Sequence, residues 1–186
     1  MRELPVELYR AAQVRELDRI AIEERGIPGY TLMSRAGEAA FMLLSQRWPD
    51  ARRIVVVCGG GNNAGDGYVV ARLAHKTGLE TRVLTLSNPN ALRGDALTAW
   101  RDACAAGVPT TAFTTAGLDG ADLLVDAILG TGLERDVSGV WREAIDAMNA
   151  HPADRFALDI PSGLHADTGA ILGAAVRAAA TLTFIG

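Results

Sequence analysis

The sequence predicts an α/β protein, a three-layer α/β/α sandwich on a mostly parallel sheet with a helical extension at its N-terminus. Two observations predict it. Up to Asp50 the apolar residues recur at a helical period, and at Ile54-Val55-Val56-Val57-Cys58 they fuse into one continuous, mostly β-branched run. Such a run marks a strand buried on both faces of a parallel sheet. Beyond it, strand patterns alternate with helical ones, the mark of βαβ units with helices on both faces.

Each element follows from its own pattern. Val6 to Arg25 places Leu8, Ala11, Val14, Leu17 and Ala21 on one helical stripe, and Gly26 with Pro28-Gly29 ends it. Thr31 to Trp48 is a second helix, closed by Pro49-Asp50. After the Ile54–Cys58 strand the spacing predicts a helix over Tyr68–Lys76 and a strand over Thr81–Leu86. Next come a helix over Ala91–Ala106 and a short extended piece over Val108–Phe113. Asp122–Asp126 reads as a strand, Val140–Met148 as a helix, and Phe156–Ile160 and Thr181–Ile185 as strands. There is no internal repeat and no low-complexity linker, so residues 1–186 are expected to form one domain. The closing TLTFIG is an apolar strand without a polar tail, the expected look of a domain cut at its C-terminal end.

Composition narrows the function. The 186 residues are 49% hydrophobic and 22% charged, which excludes intrinsic disorder. A net charge of −4 offers no basic field for nucleic acid. No run approaches the roughly 18 apolar residues of a membrane span, and the charged start MRELPVELYR is unlike a signal peptide. Cys58 and Cys104 are too few for a disulfide framework. A cytoplasmic location is expected. His75, His151 and His165 lack metal-ligand spacing, so no zinc site is expected. Lys76 is the only lysine and sits at a helix end, which leaves little room for Schiff-base chemistry.

Three segments lie where such a sheet binds ligands, at the carboxyl ends of its strands. The first is Gly59-Gly60-Gly61-Asn62-Asn63-Ala64-Gly65-Asp66-Gly67, between a buried strand and a helix. Its glycines admit positive φ and close ligand approach. The following helix N-terminus offers N–H groups to a phosphate. The second, Val125 to Asp136, closes a strand on Asp126 and continues through Gly130-Thr131-Gly132. The third, Leu158-Asp159-Ile160-Pro161-Ser162-Gly163, again pairs a strand-terminal aspartate with a hydroxyl-bearing turn. Either aspartate alone could merely cap its turn; two beside a glycine loop form a constellation. Trp141 follows the second loop closely enough to wall a pocket. The charged residues of the first helix read as a solvated face.

Taken together, GGGNNAGDG, VDAILGTGLERDVSG and LDIPSG resemble, in order, the motifs of the YjeF N-terminal domain family, the NAD(P)H-hydrate epimerases. The opening RELDRIAIEERGIPGYTLMSRAG is similar as well. Ala64, Gly60 and Ser34 depart from the family's usual glycine, proline and acidic residue. The resemblance implies a Rossmann-like fold and a repair isomerase that interconverts the R and S epimers of hydrated NADH or NADPH. It implies substrate contacts at Asn62, Asn63, Ala64, Gly65 and Asp66, at Gly130, Thr131, Gly132, Leu133, Glu134, Arg135 and Asp136, and at Asp159. Asp159 is the candidate acid–base group. A potassium ion held by Asn63, Asp126 and Ser162 is also implied, as are a dehydratase partner and a homodimer. Two alternatives stand beside this reading: a non-catalytic scaffold on the same fold, and a dinucleotide-dependent oxidoreductase. The lack of a GxGxxG turn and of an acidic residue at Leu86-Ser87-Asn88 counts against the second.

Overall fold

Six strands form a single sheet in a computed structural model of the chain, which describes residues 9–184. They are β1 (Arg53–Cys58), β2 (Glu80–Thr85), β3 (Thr110–Ala112), β4 (Leu123–Ala127), β5 (Asp154–Leu158) and β6 (Ala180–Leu182). The spatial order is β3-β2-β1-β4-β5-β6, and all five pairings are parallel. The chain therefore winds outward from β1 in one direction, then returns to start again at β4 on its other side. That reversal leaves a crevice beyond the ends of β1 and β4, where open parallel sheets take their ligands.

Five α-helices flank the sheet: α1 (Ala11–Arg19), α2 (Gly29–Arg47), α3 (Asn62–Lys76), α4 (Gly94–Ala105) and α5 (Gly139–Ala150). Alternation along the strands sorts the core into two. Ile54, Val56 and Cys58 of β1, with Leu123 and Val125 of β4, pack against α2, α3 and α4. Val55, Val57 and Leu124 face Ala144, Ile145 and Met148 of α5 on the opposite side. By the same alternation Asp126 points to that opposite side, at a position otherwise suited to a valine.

Several boundaries differ from the sequence reading, each for a local reason. The helix expected at Tyr68 begins at Asn62, so most of the glycine motif is helical. Glycine in a helix costs about 1 kcal/mol against alanine, which is why the segment reads as loop. The helix expected over Ala91–Ala106 divides into a 3₁₀ turn at Pro89–Ala91 and α4, because Arg93 is extended and Gly94 has φ +53°. β5 stops at Leu158, because Asp159 turns into positive φ. The first helix ends in a π-helical turn, Ile20–Glu24. Val6 to Leu8 of that helix and Ile185 of the last strand lie outside the described residues. No helix among the described residues is long and apolar enough to cross a membrane.

Gly67 shows what the misleading glycines do. A Cβ there would lie 2.5 Å from Cβ of Ala127, 3.0 Å from Sγ of Cys58 and 3.2 Å from Cγ1 of Val56. All three atoms belong to the buried strands β1 and β4, which cannot retreat. The missing side chain thus seats the first turns of α3 directly over the crevice. Gly67→Ala separates two effects of opposite sign. Helix propensity favours alanine by about 1 kcal/mol, while overpacking costs about 1–3 kcal/mol. The variant should melt below the wild type in a thermal scan; an equal or higher midpoint would mean that α3 is not seated this closely.

Candidate active site

A cavity of about 1620 Å³ opens at the crevice. Its walls include Gly60, Gly61, Asn62, Asn63 and Asp66 from the start of α3, the whole stretch from Gly130 to Asp136, and Asp159. All but Gly60 and Gly61, which precede the helix, are expected ligand contacts, and the fold brings them to one space. Trp141 lines it too, as its position predicted. Ala64 and Gly65 do not. Because α3 starts at Asn62, both residues rotate onto its buried side. A Cβ on Gly65 would meet Sδ of Met33 at 2.5 Å and Cα of Ala96 at 3.0 Å. Gly65 therefore serves the contact of α3 with α2 and α4, where its sequence context pointed to close approach by a ligand.

Asp126 and Ser162 lie beneath the cavity floor, and both are fully buried. Asp126 accepts from Ser162 N (2.8 Å) and Ile128 N (3.2 Å), and its Oδ1 lies 2.5 Å from Ser162 Oγ. Ser162 Oγ in turn accepts from Leu129 N at 2.8 Å and lies 3.1 Å from Leu129 O. The single hydroxyl proton can serve only one of those two acceptors. Asn63 joins the group from α3, donating Nδ2 to Leu129 O at 3.0 Å. Its Oδ1 is buried without a hydrogen-bond partner. Three separate loops are thus tied together through the backbone of Leu129. No cationic side chain forms an ion pair with Asp126 among the described residues. Burial pushes its carboxyl up to about 6, while the donors from Ser162 and Ile128 pull the other way.

Asp159 sits just past β5 at φ +66°, the only non-glycine with positive φ among the described residues. A backbone in that region is costly and persists where surrounding contacts enforce it. One such contact is Thr131 N, which donates to Asp159 Oδ2 at 2.9 Å. Burial raises the Asp159 carboxyl above the usual range, against the opposing effect of the Thr131 donors. Asp66 differs. It is 9% exposed, lines the cavity, and its carboxyl has no hydrogen-bond donor among the described residues. Burial, and then the charges of Asp159 and Asp18, hold it well above the usual range.

Asp18 is a residue that sequence reasoning missed. It projects into the cavity from α1, which reads from its sequence as a solvated helix face. Only its spacing from Val14 and Leu17, which also line the cavity, could have placed it there. Cys58 is buried and its thiol is pushed far up by burial, as expected of an inert strand cysteine. No cluster of three or more His, Cys, Asp or Glu suited to a metal is present among the described residues. The buried oxygen donors here are an amide, one carboxylate, a hydroxyl and carbonyl groups.

Residues 29–186 match the family model described as "YjeF-related protein N-terminus". The chain is 44% identical over 178 residues to the bifunctional NAD(P)H-hydrate repair enzyme Nnr of Coxiella burnetii, covering 96% of this chain and 36% of that one. It is 41% identical over 174 residues to the NAD(P)H-hydrate epimerase of Limosilactobacillus fermentum, covering 94% of this chain and 83% of that one. The chain thus spans about a third of the length of the bifunctional relative and most of the shorter one. Among solved structures, the yeast protein YNL200c superposes with a TM-score of 0.85 at 19% identity, covering 95% of this chain and 79% of that one. That likeness concerns the fold, and it is the Rossmann-like α/β/α sandwich that the sequence predicts. On the match of its last 158 residues and the identity to these relatives, the chain belongs to the family of YjeF-related N-terminal domains.

Proposed function

We propose that this chain is an NAD(P)H-hydrate epimerase, an isomerase that interconverts the R and S forms of hydrated NADH and NADPH. The names of its relatives point to that substrate. The observation that carries the reading is the carboxyl pair Asp66 and Asp159 in one buried cavity beside a helix N-terminus. The N-terminal turn of α3 offers unpaired N–H groups and positive potential to the diphosphate. Arg135, on the cavity wall, adds a full charge. At the other end, C6 of the hydrated nicotinamide is a hemiaminal carbon. Losing its hydroxyl leaves a planar cation, which carboxylates stabilise, and water returning to the other face inverts the centre. A scaffold has no need of two carboxyls facing one cavity and held above their usual range. The same reading takes a dehydratase as the functional partner and a second copy of the chain as the partner in a homodimer.

Potassium fits the buried group beneath the cavity. Asn63 Oδ1 is an orphaned acceptor, and Asp126 is a buried anion without a counter-charge. Together with Ser162 these are the oxygen donors that a hard cation takes. Asn63, Asp126 and Ser162 would hold the ion. When bound, it offsets negative charge and fixes the three loops relative to one another.

Two outcomes test this. Asp159→Asn keeps the shape and removes the titratable group, so interconversion of chromatographically separated epimers should fall by about 10²-fold or more. Wild-type turnover in that variant would remove Asp159 from the chemistry. The second test is the ion. A carboxyl raised in the folded state favours folding at low pH, and this advantage is lost as pH rises through its folded value. Without potassium, the contribution of Asp126 to stability should therefore decline between about pH 4 and pH 6. Potassium should raise the melting temperature most above that window. At matched ionic strength lithium should do so less, because water holds it more tightly. Equal melting curves in the two salts would leave Asn63 and Ser162 as caps of their own turns.

A further inference from the structure

The two cavity carboxyls are not equivalent, and their surroundings differ in one decisive respect. Asp159 receives a backbone N–H from Thr131, a bond that favours its ionised form. Asp66 is nine-tenths buried, faces the same cavity from the helix layer, and receives no donor among the described residues. From this geometry we infer that Asp66 is the general acid of the epimerisation and Asp159 its general base. The inference rests on the epimerase reading and extends it to the separate roles of the two groups.

Environment supports that division of labour. Two carboxyls pushed apart by their surroundings are the usual basis of acid and base assignments. Burial raises both, the neighbouring charges of Asp159 and Asp18 raise Asp66 further, and the Thr131 donors restrain Asp159 alone. The other charged side chains of the cavity are Arg15 from α1, Arg35 from α2, Asp95 from α4, and Glu134, Arg135 and Asp136 from the loop after β4. Of the acids, Asp159 and Asp18 are the ones whose charge bears on Asp66.

The steps balance. Asp66 gives its proton to the C6 hydroxyl, and the C6–O bond breaks with its electron pair going to the departing water. The N1 lone pair forms a C6=N1 double bond, leaving a planar cation and an ionised Asp66. A water molecule then adds to the opposite face of C6, the C6=N1 pair returns to N1, and Asp159 takes the proton that this water sheds. The net change is inversion at C6 and one proton moved from Asp66 to Asp159. The opposite epimer reacts through the same path reversed, with Asp159 donating and Asp66 accepting, which restores the first form. Exchange with solvent does the same.

The test uses separated epimers of hydrated NADPH, with the uncatalysed rate subtracted. Asp66→Asn is nearly isosteric and breaks no hydrogen bond, so it should melt no lower than the wild type, and calorimetry with the hydrated cofactor separates lost binding from lost chemistry. Its epimerisation rate should fall by about 10²-fold or more. The wild type should show a bell-shaped pH profile from either epimer; from one epimer Asp66→Asn should lose the alkaline limb and Asp159→Asn the acid limb, and from the other epimer the two limbs should exchange. Carboxyl carbon NMR gives a second readout, independent of turnover: Asp66 should titrate above Asp159. Retained turnover in Asp66→Asn, the same limb lost from both epimers, or Asp159 titrating above Asp66 would each overturn the assignment. A wild type that leaves the epimers unchanged overturns the epimerase reading itself, and the roles with it.

Discussion

The site depends on a fully buried carboxylate that has no counter-ion side chain among the described residues. Asp126 occupies a strand position that alternation assigns to the apolar core over α5, and it is fully buried. An ionised carboxyl in such a place is expensive unless donors surround it. Its donors come from Ile128 N just beyond its own strand and from Ser162 in the turn after β5. The same Ser162 oxygen holds Leu129 N, and the carbonyl of Leu129 holds Asn63 at the start of α3. Satisfying one buried charge therefore fixes the relative positions of the three segments that line the cavity. Of the six buried polar or charged residues among those described, Asn63, Asp66, Asp126 and Ser162 belong to this region. The other two, Thr81 and Thr85, belong to β2. The polar content of the core is thus concentrated where the sheet reverses its winding.

Cavity electrostatics follow from that frame. The floor fixes the loop from Gly130 to Asp136, and Thr131 in that loop orients Asp159. Asp159 pays for its place with positive φ, the sort of backbone strain that a well-determined surround can sustain. Asp66 is held differently, by the seating of α3 on β1 and β4 at Gly67, and nothing among the described residues donates to it. One carboxyl thus receives donors that favour its charged form, against the burial that raises both, and the other receives none among the described residues. The asymmetry arises from backbone placement alone, before any ligand enters.

Much of this was legible in the residues. The β-branched run at Ile54–Cys58 and the apolar strand closing on Asp126 identified the two central strands, and their following loops marked the crevice. The family motifs brought together the stretch from Gly130 to Asp136, Asp159 and the start of α3, all of which do line one cavity. What failed had physical causes. Gly65 and Gly67 read as loop because glycine disfavours helix, yet tertiary packing against Met33, Ala96 and Ala127 needs them without side chains. Ala64 and Gly65 are implied as contacts by the family resemblance alone; with α3 beginning at Asn62 their side-chain positions turn to its buried side. No local pattern announces that Asp159 takes positive φ, because that conformation is imposed by neighbours distant in sequence.

Helix α1 makes the same point from the other direction. Its amphipathic spacing is what a core-facing helix shows, yet Ala11 is its only buried residue. The stripe of Val14 and Leu17 faces the cavity, and the backbone of Ala11 is tied across to Asp167 Oδ1 at 2.8 Å. Hydrophobic periodicity reports that a face avoids water; it does not say whether protein or ligand covers it. For α1 the cover is the space that holds Asp66 and Asp159, and Asp18 on the same face adds a third carboxyl to it. Arg15 of the same helix also lines the cavity, so α1 brings charges of both signs to it.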